Sequence, residues 1–204
     1  MTDTPSALPT CRRFPLFRSS ILKQLTSRSA ILKHIAYIGG SPVVLAAHEA
    51  TRAKTLDDVV AYASAPGHAF TFSSSGVGSD GHLMGVAIAT ALNLKPEHVP
   101  YKSTAEALTD VVAGHVPFST STLSSTSGFL HANTLLGIAV TSAERVPDFP
   151  DLPTFSELGH PELLDNTWFA FSGPADLSDA VVIKLNKSRR RSHCASGRAG
   201  AFSA

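Results

Sequence analysis

Ser73-Ser74-Ser75-Gly76-Val77-Gly78-Ser79-Asp80-Gly81-His82 is the stretch on which the reading turns. A short β-prone run, His68–Ser73, precedes it. A helical pattern over Gly81–Asn93 follows, apolar at Leu83, Val86, Ala87, Ala91 and Leu92. Small residues let a backbone approach a ligand closely. The first N–H groups of a helix lack internal partners and carry the positive end of its dipole. An anion, above all a carboxylate or phosphate, can be held there without Lys or Arg. The plain alternative is a βα turn with a Ser or Asp cap.

Outward from this loop the alternation of strand and helix continues. His34–His48 reads as two strand segments broken at Gly39-Gly40-Ser41-Pro42. Lys54–Ser64 reads as a helix capped by Thr55, with Asp57 and Asp58 in its first turn and Pro66-Gly67 stopping it. His98–Tyr101 is the next strand. Ser103–Ala113 is a helix with a Ser103/Glu106 capping box, closed by Gly114. Val116–Thr120 and Leu135–Ser142 read as strands around a Leu123–His131 helix. Pro147, Pro150 and Pro153 mark a surface loop, and Thr154–Leu158 a short helix ended by Gly159. Thr167–Ser172 is a last strand, and Ser178–Asn186 begins a helix. This pattern predicts an α/β fold with a mostly parallel sheet.

The chain has 204 residues, enough for one domain or two small lobes. It is 43% hydrophobic and 16% charged, a composition opposed to wholesale disorder. No apolar run reaches the roughly 18 residues of a membrane helix. The net charge of +1 gives nucleic acid no strong attraction. Its distribution is uneven. Residues 1–33 carry six basic groups and one acid; residues 34–179 carry five basic groups and fifteen acids; residues 180–204 carry six basic groups and no acid. The middle reads as an ordinary acidic globular protein, and both ends as different material. Residues 1–30 are expected to be loop or without order, with a short helix over Ser20–Leu25. The Lys187–Arg191 run is expected to begin an unstructured basic tail. No secretory leader pattern is visible in residues 1–30, so export is not expected from this sequence alone. Cys11 and Cys194 predict no disulfide framework and no structural zinc.

The same loop supports rival readings. Gly76-Val77-Gly78-Ser79-Asp80-Gly81 matches G-x-G-x-x-G, but a dinucleotide site needs an acid at the end of the next strand. That strand ends in Tyr101-Lys102, and Glu97 precedes it. Val77-Gly78-Ser79-Asp80-Gly81 approaches the serine-hydrolase elbow G-x-S-x-G, with Val77 in place of the first glycine. A nucleotide-dependent oxidoreductase and a serine hydrolase are therefore the enzyme alternatives. The nine His residues form no metal motif, and no metal is expected. Trp168 is expected in the core rather than lining a cleft. Ser119-Thr120-Ser121-Thr122 ends a strand, where ligands of open α/β sheets bind. Ser74–Ser79, Lys102 with Ser103 and Thr104, and Ser119–Thr122 are thus expected to converge.

Further segments carry a family resemblance. They are Ile35–Pro42 (IAYIGGSP), Lys54–Asp58 (KTLDD), Ser74–Leu83 (SSGVGSDGHL) and His98–Lys102 (HVPYK). Ala107–Val116 (ALTDVVAGHV), Leu136–Arg145 (LGIAVTSAER), Phe149–Gly159 (FPDLPTFSELG) and Trp168–Ala175 (WFAFSGPA) complete the set. Their order and spacing resemble the Bug family, the periplasmic receptors of tripartite tricarboxylate transporters (TctC-like), over about residues 31–187. The resemblance implies a type II periplasmic-binding-protein fold of two lobes that closes on a small organic acid. It implies no catalysis, no cofactor, membrane transporter subunits as partners and a periplasmic location. It places Ser75, Gly76, Gly78 and Ser79, and with them His82, at the ligand; the expected convergence of strand ends adds Ser74, Ser103, Thr104, Ser119, Thr120 and Ser121. Many members carry an Asp near residues 119–122; the hydroxyls here favour a ligand without an amino group. Against the family pattern, residues 48–138 are expected to form a complete lobe and residues 31–47 with 139–187 an incomplete one. The first quarter or third of the family's length has no counterpart, so a fragment with weak or no ligand affinity is expected.

Overall fold

The computed structural model describes residues 32–195, with side chains through Lys187. The segment 1–30 with its expected helix and Cys11, and residues 196–204, lie outside the described residues. Two compact units emerge. The larger spans Gly40–Trp168, and the smaller includes residues 32–39 and 169–195. Two strands, β1 (Leu32–Ser41) and β7 (Thr167–Pro174), run from one unit into the other.

The larger unit is built on a five-stranded sheet in the order β4-β3-β5-β2-β6. Its strands are β2 (Val43–Ala47), β3 (Phe70–Ser74), β4 (Pro96–Pro100), β5 (Phe118–Thr122) and β6 (Leu136–Val140). Helices α1 (Leu56–Ser64), α2 (Asp80–Ala91), α3 (Thr104–Val112) and α4 (Leu123–His131) connect them. Strands β3 to β6, each joined to the next through a helix, all run the same way, as the alternating pattern predicts. β2 departs from it, lying antiparallel to both β5 and β6. A helical crossover imposes the parallel sense, and β2 is entered from β1 without one.

The helices start where local chemistry dictates. Thr55 caps α1, its hydroxyl accepting from Asp58 N–H while the Asp58 carboxylate accepts from Thr55 N–H. Ser79 caps α2 and Ser103 caps α3 with the hydroxyl alone, accepting from His82 N–H and Glu106 N–H, and the expected return bond from Glu106 to Ser103 N–H is not made. Gly114 ends α3 in the left-handed region at φ 79°. The sheet has apolar cover on both faces. Val43, Leu45, Phe70, Phe72, Phe118 and Ile138 meet α1 and α2, whereas Val44, Ala46 and Val140 meet α3 and α4. All five residues of β2 are buried, which is why Val-Val-Leu-Ala-Ala shows no polar alternation.

Several expectations change. The larger unit absorbs 40–47 and 139–168 beyond the expected 48–138, because β2 and β6 belong to its sheet. Residues 154–159 form turns, not a helix. Thr154 bridges Val140, and Glu157 reaches back to Thr154 N–H and to Arg145 Nε at 2.9 Å. Trp168 is 41% exposed. Helix α5 runs Asp179–Ala195, through Lys187–Arg191, where an unstructured tail is expected. Lys and Arg are good helix formers, and no Gly or Pro interrupts the run before Gly197.

In the smaller unit β1 and β7 form a sheet of two strands, each an edge. Lys33 Nζ bonds the Leu177 carbonyl at 2.8 Å and the Asp179 carboxylate, and Asn186 donates to the Ile35 carbonyl, tying α5 to β1. Tyr37, Ile38, Phe169 and Phe171 remain 46–52% exposed. An Ile38→Lys/Phe171→Lys chain is therefore expected to self-associate less than the parent. Light scattering at matched concentrations checks this, and equal scattering contradicts it. Among the described residues no helix is long and apolar enough to cross a membrane.

Candidate ligand-binding site

The carboxyl ends of β3, β4 and β5 meet at the start of α2. Strand β3 pairs in parallel with β4, and Ser73 lies opposite Ser119 of β5. Tyr101 N–H donates to the Ser74 carbonyl at 3.0 Å, which brings the segment entering Ser103 and Thr104 beside the loop. Thr120 Oγ1 donates to the Gly81 carbonyl at 2.7 Å. Gly81 allows this closeness: a Cβ there falls 2.2 Å from the Thr120 oxygen. Gly85, one turn on, admits the Phe72 ring in the same way.

The loop is internally braced. Ser79 Oγ donates to the Gly76 carbonyl at 2.7 Å and accepts from His82 N–H. Gly76 N–H donates to Ser74 Oγ, Ser79 N–H to the Gly76 carbonyl, and Gly78 N–H to His82 Nδ1 at 3.1 Å. The amides of Gly76, Gly78, Ser79 and His82 are thus engaged within the loop. Among the described residues, those of Val77, Asp80 and Gly81 donate to no protein acceptor. For the two helical ones this is the ordinary state of a first turn. Gly76 and Gly78 carry φ of 124° and 79°, a bend that side chains oppose.

Beneath the loop lies a pair of histidines. His98 on β4 hydrogen-bonds Ser74 Oγ at 2.7 Å through Nε2. His82 stacks on His98 with centroids 4.1 Å apart, and Phe72 stacks on His98 at 5.1 Å. Burial, and then the neighbouring His82, push the His98 imidazole below its usual range. A neutral ring suits its place against Phe72.

The first helical residue behaves against habit. A carboxylate in the first turn of a helix is ordinarily favoured as the anion. Asp80 is instead pushed up to about 6, by burial first and then by the charge and hydrogen bond of Asp165. Its Oδ2 is buried without a donor.

The predicted residues therefore divide. Ser74, Gly76, Ser79 and His82 gather at the start of α2, with Ser75 and Gly78 exposed on the same loop. Ser119, Thr120 and Ser121 are buried, and Ser121 Oγ is engaged with Thr126 Oγ1 at 2.8 Å, so their hydroxyls brace β5. Ser103 is occupied as the α3 cap, and Thr104 opens that helix. His98 and Asp165 escape sequence reading; each arrives by long-range pairing that no local pattern encodes. Among the described residues no cluster of three metal-ligating side chains occurs. Ser79 sits at φ −69° and ψ 159°, an unstrained cap conformation unlike a nucleophile elbow.

Residues 17–198 match the family model described as the tripartite tricarboxylate transporter family receptor, TctC. The chain is similar to Protein BugT of Bordetella pertussis, 26% identical over 153 residues, covering 75% of this chain and 47% of that protein. Its fold is similar to the solved periplasmic binding protein BugD (27% identity, TM-score 0.72, covering 77% of this chain and 52% of that one). It is likewise similar to an R. palustris protein solved with adipate (27% identity, TM-score 0.73, 78% and 53%). The chain spans about half the length of the curated relatives it matches.

Proposed function

Because this chain belongs to the tripartite tricarboxylate transporter receptor family, we propose that it receives a small organic acid at the first turn of α2, as part of a solute receptor. The family's members are receptors and not enzymes, which removes the oxidoreductase and hydrolase readings. The observation that carries the proposal is the convergence of three strand ends on one helix start, where the half-buried Asp80 and buried Gly81 amides have no protein acceptor. Ligands of open α/β sheets bind beyond the carboxyl ends of strands. A helix start contributes about 0.3–1 kcal/mol to an anion at an exposed site and up to ~2 kcal/mol when partly buried. This is enough to orient a carboxylate, while tight binding needs further contacts.

The adipate in the R. palustris relative makes a dicarboxylate the reasonable probe. The family match supports a periplasmic location and membrane transporter subunits as partners. The absence of Asp at Ser119–Thr122 supports a ligand without an amino group. Titration of the 204-residue chain with adipate is expected to give a dissociation constant of about 1 mM, worth roughly 4 kcal/mol. The accompanying NMR shifts should centre on Val77, Asp80, Gly81 and His82. Shifts elsewhere, or none at high millimolar adipate, contradict the assignment.

A further inference from the structure

We propose that the stacked His82–His98 pair is an acid-sensitive latch on the loop between β3 and α2: neutral His82 holds Gly78, and a proton on its ring lets that bend go. The latch belongs to the ligand-free protein; its effect on an anion rests on the reading of this turn as the carboxylate site.

The geometry closes on itself. From α2, His82 grips the loop twice: its N–H donates to Ser79 Oγ at 3.2 Å, and its Nδ1 accepts from Gly78 N–H at 3.1 Å. From β4, His98 Nε2 bonds Ser74 Oγ at 2.7 Å, and Ser74 Oγ stands 3.2 Å from Ser79 Oγ. The two rings complete the circuit by stacking, with centroids 4.1 Å apart and planes 28° from parallel. Both ends of the loop are thus tied to one pair of imidazoles, and Gly78 is held between them at φ 79°.

This circuit needs a neutral His82. A ring nitrogen that accepts carries no proton, whereas both nitrogens of an imidazolium are donors. A proton on His82 Nδ1 therefore sets N–H against N–H at Gly78, and the bond is lost. The His98 bond survives in either state, because a hydroxyl both donates and accepts. Two imidazoliums at 4.1 Å repel, so the pair takes one proton first. His98 is stacked on Phe72 and held below its ordinary value by burial and then by His82, so that proton belongs on His82.

The surroundings leave few competing groups. Strands β2, β3 and β5, which pack on α2, carry no titratable side chain. On β4, Glu97 lies on the face opposite His98 and accepts from Thr71 Oγ1 at 3.3 Å. Beyond β4 come Tyr101, bonded to Asp110 at 2.6 Å, and Lys102. The 3-10 turn at Pro161–Leu163, which packs on α2, carries Glu162, with His160 Nδ1 beside it at 3.0 Å. Asp80, pushed up to about 6 by burial and then by Asp165, titrates in the same range and needs its own control.

Two consequences follow. A histidine held low in the folded state contributes stability that is present above its unfolded value of 6.5 and lost as pH falls through the folded one, so acid works against the packed His98. Acid also frees the Gly78 amide and puts a positive charge on His82 beside the Asp80 and Gly81 amides. Uptake of a proton and of a carboxylate should therefore favour each other.

The test uses the 204-residue chain without ligand, followed by NMR from pH 5.0 to 8.0. The Gly78 amide resonance is expected to move with the same midpoint as the His82 ring carbons. In His82→Asn, whose Oδ1 can accept at the place of Nδ1 and takes no proton, the Gly78 resonance should stay fixed. In Asp80→Asn it should still titrate. A Gly78 resonance that holds still while the His82 ring titrates, that titrates equally in His82→Asn, or that is flattened by Asp80→Asn overturns the proposal. So does a His82 ring that keeps one state throughout. Calorimetry with adipate then reads the link: by proton linkage, affinity should be about threefold to tenfold higher at pH 6.0 than at pH 7.5. His82→Asn should lose most of that difference. Absence of adipate binding at both pH values defeats the carboxylate reading, while the ligand-free titration alone decides the latch. Equal affinity at the two pH values defeats the link to uptake.

Discussion

Gly81→Ala is expected to lower the melting temperature of the larger unit by roughly 4–8 °C and to abolish adipate binding. The reason is a contest of known terms. Alanine gains about 1 kcal/mol in helix propensity over glycine. Its Cβ, however, lands 2.2 Å from the Thr120 carbonyl oxygen, a backbone atom of an inner strand that cannot rotate aside. Relieving such overpacking costs about 1–3 kcal/mol, occasionally more. Shifting α2 also stretches the 2.7 Å bond from Thr120 Oγ1 to the Gly81 carbonyl, worth about 1 kcal/mol. The net loss is about 2 kcal/mol, and each kcal/mol moves a domain of this size by roughly 2–4 °C. Gly128→Ala on α4 is the control. Nothing lies within 4 Å of its Cβ position, so the propensity gain should appear as a small rise in melting temperature. Equal behaviour of the two variants, measured by differential scanning calorimetry, contradicts the close-approach account.

Phe72→Ala is expected to cost about 3–5 kcal/mol, a large part of the 5–15 kcal/mol that holds a typical domain together. Phe72 is fully buried on β3, stacks on His98, and lies 5.5 Å from Phe70, centroid to centroid. Removing the ring opens a cavity under α2 and takes away the surface on which the histidines rest. Gly85 makes the claim sharper. A Cβ at Gly85 meets Phe72 Cε2 at 2.1 Å, so Gly85→Ala alone should destabilise. In the Phe72→Ala background the same methyl enters vacated space. Urea unfolding of the four proteins should therefore show a coupling of about 1 kcal/mol or more between the two sites. Strict additivity contradicts direct packing of helix on strand.

What sequence could and could not convey follows the range of the interactions. Leu123–His131 is a helix in both readings, and Thr55 and Ser103 cap where expected, because capping needs only residues three positions apart. The loop between β3 and α2 was legible for the same reason: glycines and hydroxyls between a strand and a helix carry their own geometry. The antiparallel insertion of β2 was not, since its partners lie some 70 to 100 residues away along the chain. Thr154–Leu158 had a helical look, but Arg145 and Val140 pull Glu157 and Thr154 into turns. Asp165 offered no signal. An isolated acid before a strand is ordinary, and only the fold sets it against Asp80.

The engaged amides of the loop also bear on the candidate site. The family resemblance placed Gly76, Gly78 and Ser79 at the ligand; the structure engages their amides within the loop. Glycine there serves the bend, and the hydroxyls serve the brace.

The central place of β2 has a cost in time. Five fully apolar residues near the start of the described chain find their hydrogen-bonding neighbours only in β5 and β6. During synthesis Val43–Ala47 leaves the ribosome long before residues 118–140 exist. Such a high contact order slows folding and prolongs exposure of a sticky segment. Until those strands emerge, Val43–Ala47 has no sheet to enter.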